Sequence, residues 1–298
     1  MGKPTLLITG ADGYTGRHAV NYFKDYDVIK VTRKKVTSKN GYYADLTNEE
    51  DVNRLIELTK PDSILHLAGQ NHVGKSWESP VATIQSNFMS TLYLLSAVKK
   101  YASKAKVLVV GSALQTENVY PHPYSYSKSL QGELIQVWQQ FYGGNTIFVK
   151  TTNLIGPGAS TGVCAIIAKR IVELENNTND NKAILTLQNK QVIRDFVDVR
   201  DAVRAYHLIL EKGKPGFEYE ITSGTMRSLE EISRIFQELS NVPLTVHFTE
   251  SQHDQPKRLT SLALKDLGWE RECDIRTSLE DTLNYFREIY RKEGGDDT

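Results

Sequence analysis

Short apolar runs alternate with stretches of helical spacing through the first half of the chain. Thr5 to Thr9 reads as a strand and is followed by a helix-like stretch, Arg17 to Phe23. The alternation continues with a strand at Val28 to Thr32, a helix near Glu49 to Leu58, a strand at Ser63 to Leu67 and a helix near Val81 to Lys100. Lys106 to Val110, a helix from Tyr124 to Phe141, and Thr146 to Lys150 complete the series. This is the βαβ rhythm of a parallel sheet covered by helices on both faces, and its strands are continuous apolar runs because neither face meets water. Past Asn153 the rhythm loosens into Gly156-Pro157-Gly158, a helix through Ala165 to Glu175 and the polar stretch Asn176 to Lys182. Apolar residues return at helical spacing in Ser278 to Arg291, before a charged tail.

Between the first strand and its helix stands Gly10-Ala11-Asp12-Gly13-Tyr14-Thr15-Gly16. Glycine is needed where a chain turns with positive φ, where backbone approaches a pyrophosphate, and where helix and strand pack closely. The helix N-terminus that follows offers N–H groups to phosphate. In this strand-before, helix-after setting the glycines point to a bound dinucleotide.

The fold expected is α/β: a Rossmann-type doubly wound parallel sheet with a smaller C-terminal substrate-binding domain. The dinucleotide domain is expected over 1–152, with 195–212 returning to it. The substrate domain takes 153–194 and 213–291, and 292–298 is a frayed tail.

Composition narrows the partners. The 298 residues include 36 basic and 36 acidic side chains, so the chain lacks the charge excess of a nucleic-acid or anionic-membrane binder. No apolar run approaches the ~18 residues of a membrane span, and Met1-Gly2-Lys3-Pro4 leads straight into a strand, so a cytoplasmic enzyme of metabolites is expected. Cys164 and Cys273 have neither C-x-x-C nor histidine spacing, so neither a disulfide nor a metal site is expected. Asn176-Asn177-Thr178 is formally a glycosylation acceptor and reads as polar loop.

Tyr124 and Lys128 lie four apart at the start of a helix, on one face. An ammonium near a phenol favours the phenolate, which lets the tyrosine exchange a proton near neutral pH. Alone, the spacing equally describes a surface pair. It gains meaning beside Ser112, at the end of the preceding strand, whose hydroxyl can bond a substrate oxygen next to the phenol.

With these pieces in place, the sequence resembles the extended short-chain dehydrogenase/reductase family (NAD-dependent epimerase/dehydratases), in its nucleotide-sugar branch. The resemblance rests on the glycine loop, Asp45-Leu46, His66-Leu67-Ala68-Gly69, Asn87, Gly111-Ser112, Pro123 to Lys128, Asn153 to Gly158 and Arg194 to Asp201. Two stretches, Gln70-Asn71-His72-Val73 with Ser76 to Pro80, and Arg194 to Tyr206, look like the GDP-mannose 4,6-dehydratase and GDP-6-deoxy-4-keto-mannose reductase subgroup.

The resemblance implies Tyr124 as acid/base, Lys128 on the nicotinamide ribose and Ser112 on the reacting oxygen. It implies cofactor contacts from Gly10, Asp12, Gly13, Tyr14, Thr15, Gly16, Asp45, Leu46, Leu67, Ala68 and Gly69, and from Asn87 through a proton-relay network. Asp45 could instead open a turn, and Asn87 could cap or pack. Asn153 is carried over as a substrate contact. His66 reads mainly as a packed histidine, and His72 is open between a substrate role and none. The family also implies a homodimer through helices such as Val81 to Lys100 and Tyr124 to Phe141.

After the second strand the chain reads Thr32-Arg33-Lys34-Lys35, where an NAD-selective protein usually carries an acidic residue for the ribose hydroxyl. Arg33 against a 2′-phosphate therefore favours NADP(H). Family dehydratases carry a carboxylate two residues beyond the serine; here that residue is Leu114, then Gln115, and the nearest acid is Glu117. The reading is NADPH-dependent reduction of the 4-keto group of a GDP- or UDP-linked 4-keto-6-deoxy-hexose. A 4,6-dehydratase, a 4-epimerase and a non-catalytic sugar-nucleotide binder are the alternatives. Lys169, Arg194 and Arg258 are the candidate diphosphate ligands, since cations, and guanidinium above all, match phosphate oxygens.

Overall fold

The structure is a computed structural model and describes residues 2–33, 41–114, 120–176, 183–188, 192–249 and 259–293. It divides into two compact units. The first comprises Met1–Thr151, Val203–Ile221 and Ser261–Trp269, and the second Thr152–Ala202, Thr222–Thr260 and Glu270–Thr298.

The first unit is built on a sheet of seven strands. In chain order these are β1 (Thr5–Thr9), β2 (Asp27–Thr32), β3 (Gly41–Tyr43), β4 (Ser63–His66), β5 (Lys106–Val110), β6 (Thr146–Thr151) and the strand Glu218–Ile221. From one edge the order is Glu218–Ile221, β6, β5, β4, β1, β2, β3, with every neighbouring pair parallel. The order reverses at β1, whose neighbours are β2 and β4; the carboxyl ends of strands at such a switch point leave a crevice for ligands. Consecutive residues such as Leu6, Leu7 and Ile8 are all fully buried, which requires cover on both faces of the sheet.

The cover comes from α1 (Tyr14–Tyr22), α2 (Glu49–Thr59), α3 (Val73–Glu78), α4 (Pro80–Ile84), α5 (Ser90–Tyr101) and α6 (Pro123–Tyr142). Asn48 caps α2, its side chain accepting the Asp51 N–H, and Glu49, Glu50 and Asp51 place negative charge at the helix's positive end. The single helix expected over Val81 to Lys100 is α4, a π-helical turn at Gln85–Met89, and α5; Pro80 opens it, in the first-turn position where no N–H is needed.

The unit boundaries differ from the sequence division at 195–212. The first unit takes 203–221 and 261–269, because Glu218–Ile221 supplies its edge strand beside β6 and because Leu264 and Trp269 are buried. A four-residue strand and a short helix carry too little periodicity to be legible in advance.

The second unit has a three-stranded sheet of Met226–Ser228, Ile193–Asp198 and Asn153–Ile155, in that order, and a parallel pair of Ala183–Gln188 with Leu244–Thr249. Its core gathers Ile167, Ile171, Phe196, Phe236, Leu279 and Leu283. Among the described residues no helix is long and apolar enough to cross a membrane.

The backbone of the first unit closes tightly around Gly16. A Cβ there would lie 2.1 Å from the Gly10 carbonyl oxygen and 2.8 Å from Ala11 backbone atoms, none of which can rotate away. Gly16→Ala is therefore expected to lower the unfolding free energy by about 1–3 kcal/mol in urea titration. Gly2→Ala, which meets nothing within 4 Å, should leave it unchanged.

Candidate active site

In the first unit the crevice at the carboxyl ends of β1, β4 and β5 is lined from three directions. After β1 the chain turns at Gly10, whose φ of +67° suits glycine, and the Gly13 N–H bonds back to the Gly10 carbonyl at 2.9 Å. α1 then begins with Gly13 as N-cap, without a side-chain cap and without an acid in its first turn. Such a start leaves the positive helix end open to an anion. Gly10 lies against the second side of the crevice: its Cβ would approach the Ala68 N to 3.0 Å. Asp12 and Gly13 are exposed at the loop tip, and Tyr14 and Thr15 are half-buried.

Past β4, Gly69 is held between Asn87 and Lys128. A Cβ on Gly69 would sit 2.7 Å from Asn87 Oδ1 and 3.7 Å from Lys128 Nζ. Asn87, fully buried in the π-helical turn, accepts the Gln70 N–H at 2.7 Å and donates to the Gln70 carbonyl at 3.0 Å and to Ser127 Oγ at 2.8 Å. Its amide thus staples the Gly69-Gln70 loop to α6. Such a bare cradle, open at a helix N-terminus and continuing past Ala68 and Gly69, fits a dinucleotide lying across the strand ends.

The third side is α6. His122 caps it, Nδ1 accepting the Ser125 N–H at 2.9 Å, and Pro123 takes the first helical position. Its first turns bury Tyr124, Ser125, Ser127, Lys128 and Gln131, a polar face of the kind proteins seldom bury without use. Tyr124 and Ser112 share a side-chain hydrogen bond, and Ser112 Oγ also accepts the Leu114 N–H at 3.1 Å. Lys128 Nζ donates to Gln131 Oε1 at 2.8 Å and to the Val110 carbonyl at 3.2 Å.

Burial raises the Tyr124 pKa, against the lowering effect of Ser112, and brings the Lys128 ammonium down to about 8. The sequence leads one to expect a phenol lowered by Lys128; in the structure burial raises it, and the opposing influence comes from the Ser112 hydroxyl. Tyr124 is consequently protonated at neutral pH, with a serine hydroxyl beside it. The arrangement can deliver a proton to an oxygen and hold that oxygen while it does so.

The remaining sequence candidates are placed as follows. Arg33 is exposed immediately after β2. Asp45 accepts from both the N–H and the hydroxyl of Thr47, forming the turn into α2, and Leu46 is buried. Leu67 and Ala68 are half-buried. His72 caps α3 by accepting the Lys75 N–H. In the second unit Lys169 is exposed on the helix Val163–Glu175, and Arg194 donates to the Ile193 carbonyl at 2.9 Å. Asn153 donates to the Asp195 carbonyl at 3.0 Å, while the Asp195 carboxylate gathers Thr152, Thr222 and Ser223. Arg258, with Gln115 and Glu117, lies outside the described residues. Among the described residues no group of three or more His, Cys, Asp or Glu could hold a metal ion.

Residues 6–222 match the model of the NAD dependent epimerase/dehydratase family. The chain belongs to this family. GDP-6-deoxy-D-mannose reductase of Pseudomonas aeruginosa is 27% identical, the alignment covering 97% of this chain and 99% of that protein. dTDP-glucose 4,6-dehydratase of Salmonella typhimurium is 25% identical over 94% and 92%. A solved structure of RMD from Pseudomonas aeruginosa complexed with NADPH superposes with a TM-score of 0.83 at 26% identity, covering 96% of this chain and 99% of that one.

Two residues against the site went unread in the sequence. His122, whose ring lies 5.9 Å from that of Tyr124, could have been found as the residue before a helix-opening proline. Gln131 stands three residues after Lys128, on the same helical face.

His66 is packed in the interior, its Nδ1 2.8 Å from Thr9 Oγ1. Burial first, and then the Lys128 charge, push its imidazole from 6.5 to about 3. The unfolded chain takes up a proton below pH 6.5 that the folded protein refuses until about 3, so this contribution to stability is lost as pH falls through that window. Unfolding free energies measured from pH 3 to 7 should show His66→Gln taking up about one proton fewer than the parent on unfolding.

Proposed function

We propose that the chain reduces the 4-keto group of a nucleotide-diphospho-4-keto-6-deoxy-hexose, GDP- or UDP-linked, using NADPH. The observation that carries this reading is a buried, protonated Tyr124 bonded to Ser112, with apolar Leu114 two residues further on. A bound NADPH supplies the hydride that carbon 4 gains. Everything else is asked of the protein's own side chains.

Ser112 holds the carbonyl oxygen and Tyr124 gives it a proton as it becomes an alcohol. The Lys128 ammonium, a helical turn away, stabilises the phenolate left behind, which then recovers its proton from solvent. Leu114 offers neither a base for carbon 5 nor an acid for a leaving hydroxyl on carbon 6, which favours reduction over dehydration. The glycine loop from Gly10 to Gly16 would hold the pyrophosphate, Ala68 and Gly69 would lie along the dinucleotide, and Arg33 would meet a 2′-phosphate. Asn153, Lys169 and Arg194, in the second unit, are assigned to the sugar nucleotide, with that unit as the substrate domain. The similarity to a GDP-6-deoxy-D-mannose reductase and to an NADPH-bound structure supports the same choice.

The working form we propose is a cytoplasmic homodimer joined through α5 and α6. Val137, Phe141 and Tyr142 are exposed on α6, an apolar run that a second copy would cover.

The direct test is NADPH oxidation against GDP- and UDP-linked 4-keto-6-deoxy sugars, with NMR of the product. The alcohol at carbon 4 is expected; release of a 4-keto-6-deoxy product from an ordinary nucleotide hexose, without net NADPH use, would instead make the protein a dehydratase. Tyr124→Phe should cost about a hundred- to ten-thousandfold in turnover while NADPH still binds. Arg33→Ala should weaken NADPH by about ten- to a hundredfold, the loss of one charged hydrogen bond, and leave NADH nearly untouched. Equal losses for the two cofactors would remove the phosphate contact.

A further inference from the structure

Two arginines stand at the rim of the glycine loop without an acidic partner among the described residues. Arg17 lies in the first turn of α1, immediately after Gly16, and Arg33 immediately follows β2; both are exposed. The side chain of Arg17 makes one hydrogen bond among the described residues, Nε donating to the Asp12 carbonyl at 3.0 Å. The acceptor is the backbone of Asp12 and not its carboxylate. That bond aims the guanidinium back over the loop and leaves its terminal nitrogens for another acceptor.

The loop carries this guanidinium toward the end of β2. Thr9 of β1 pairs with Val31 of β2, and past that pair Ala11 donates its N–H to the Val31 carbonyl at 3.3 Å. The loop is thereby laid against β2, two residues before Arg33. Asp12, the next residue, holds Arg17 on its carbonyl. Both cations thus belong to the β2 side of the dinucleotide cradle, where this fold places the adenosine ribose, while the pyrophosphate lies over the helix N-terminus.

The helix gives no reason of its own for a cation here. The N-terminal end of a helix is itself positive and disfavours one, and α1 has no acid in its first turn with which Arg17 could pair. A phosphate monoester supplies the reason. It carries about two negative charges at neutral pH, and a single guanidinium offsets only one of them.

We propose that Arg17 is a second specificity-determining residue for the cofactor, its guanidinium meeting the adenosine 2′-phosphate of NADP(H) from the glycine loop while Arg33 meets it from the end of β2. This assignment rests on the role given to Arg33 above and extends it from one cation to a pair. The pyrophosphate is left to the backbone N–H groups at the start of α1.

The test is binding, not turnover: calorimetric titration of NADPH, NADH and 2′,5′-ADP into the whole protein and its variants. A glutamine Nε2 is as many bonds from the backbone as an arginine Nε, so Arg17→Gln keeps a donor for the Asp12 carbonyl and removes only the charge and the terminal nitrogens. Arg17→Gln is expected to weaken NADPH and 2′,5′-ADP by at least about tenfold, and NADH by less than about twofold. Unchanged NADPH affinity would overturn the proposal and leave Arg17 a tie for the loop. Equal losses for NADPH and NADH would also overturn it, moving the guanidinium to the pyrophosphate. Arg33→Ala, titrated alongside, keeps the two readings apart: if it leaves NADPH untouched while Arg17→Gln does not, the Arg33 contact falls and that of Arg17 stands. Since no sugar is present, the expected losses in a protein that reduces no keto-sugar would uphold Arg17 and dismiss the reductase reading instead.

Discussion

A lysine ammonium withdrawn from water is the constraint on which the first unit turns. Taking a charge out of solvent costs several kcal/mol unless its hydrogens find acceptors. Lys128 is 6% exposed, and hydrogen bonds to neutral groups meet part of that cost. Its acceptors include the carbonyl at the end of β5 and a glutamine that is itself held by a buried threonine. Because each of these must sit within hydrogen-bond reach, the end of β5, the start of α6 and the middle of the α4–α5 helix are fixed relative to one another. The crevice comes from the reversal of strand order at β1, and these bonds fix its walls.

Much of this was legible because it is local. The glycine loop declares itself by position between an apolar run and a helix, and Tyr124 and Lys128 by a four-residue step on one helix. The parallel sheet was readable from continuous apolar runs, which is the pattern of strands buried on both faces. Beyond His122 and Gln131 on α6, what escaped notice depends on pairs distant in sequence. Thr9 and His66 are 57 positions apart, and His66 and Thr91 are 25 apart, so neither bond leaves a periodic trace. The same holds for the edge strand Glu218–Ile221, which is recognisable only once β6 is beside it.

Several residues that a motif would mark for a ligand are also occupied structurally. Asp45 builds the turn into α2, His72 caps α3, and Asp195 collects three hydroxyl and amide donors in the second unit. A pattern shared with a family selects for geometry as much as for chemistry, and at these positions the geometry is what the residues visibly supply. Ser112 and Tyr124 differ from them in sharing a hydrogen bond with each other, although Ser112 also accepts the Leu114 N–H.

The π-helical turn at Gln85–Met89 has a consequence for how this helix can vary. A π turn holds one residue more than the α turn it replaces, and each residue of an α-helix rotates the side-chain direction by about 100°. Asn87, inside the turn, and Thr91, one turn beyond it, both face inward, one stapling the Gln70 backbone and the other joining Gln131. Deleting a single residue here would give a more regular helix, yet would swing Asn87 and Thr91 out of phase with each other. The irregularity is thus a phase-setting device: the helix can change its length at this turn only by giving up one of the two attachments.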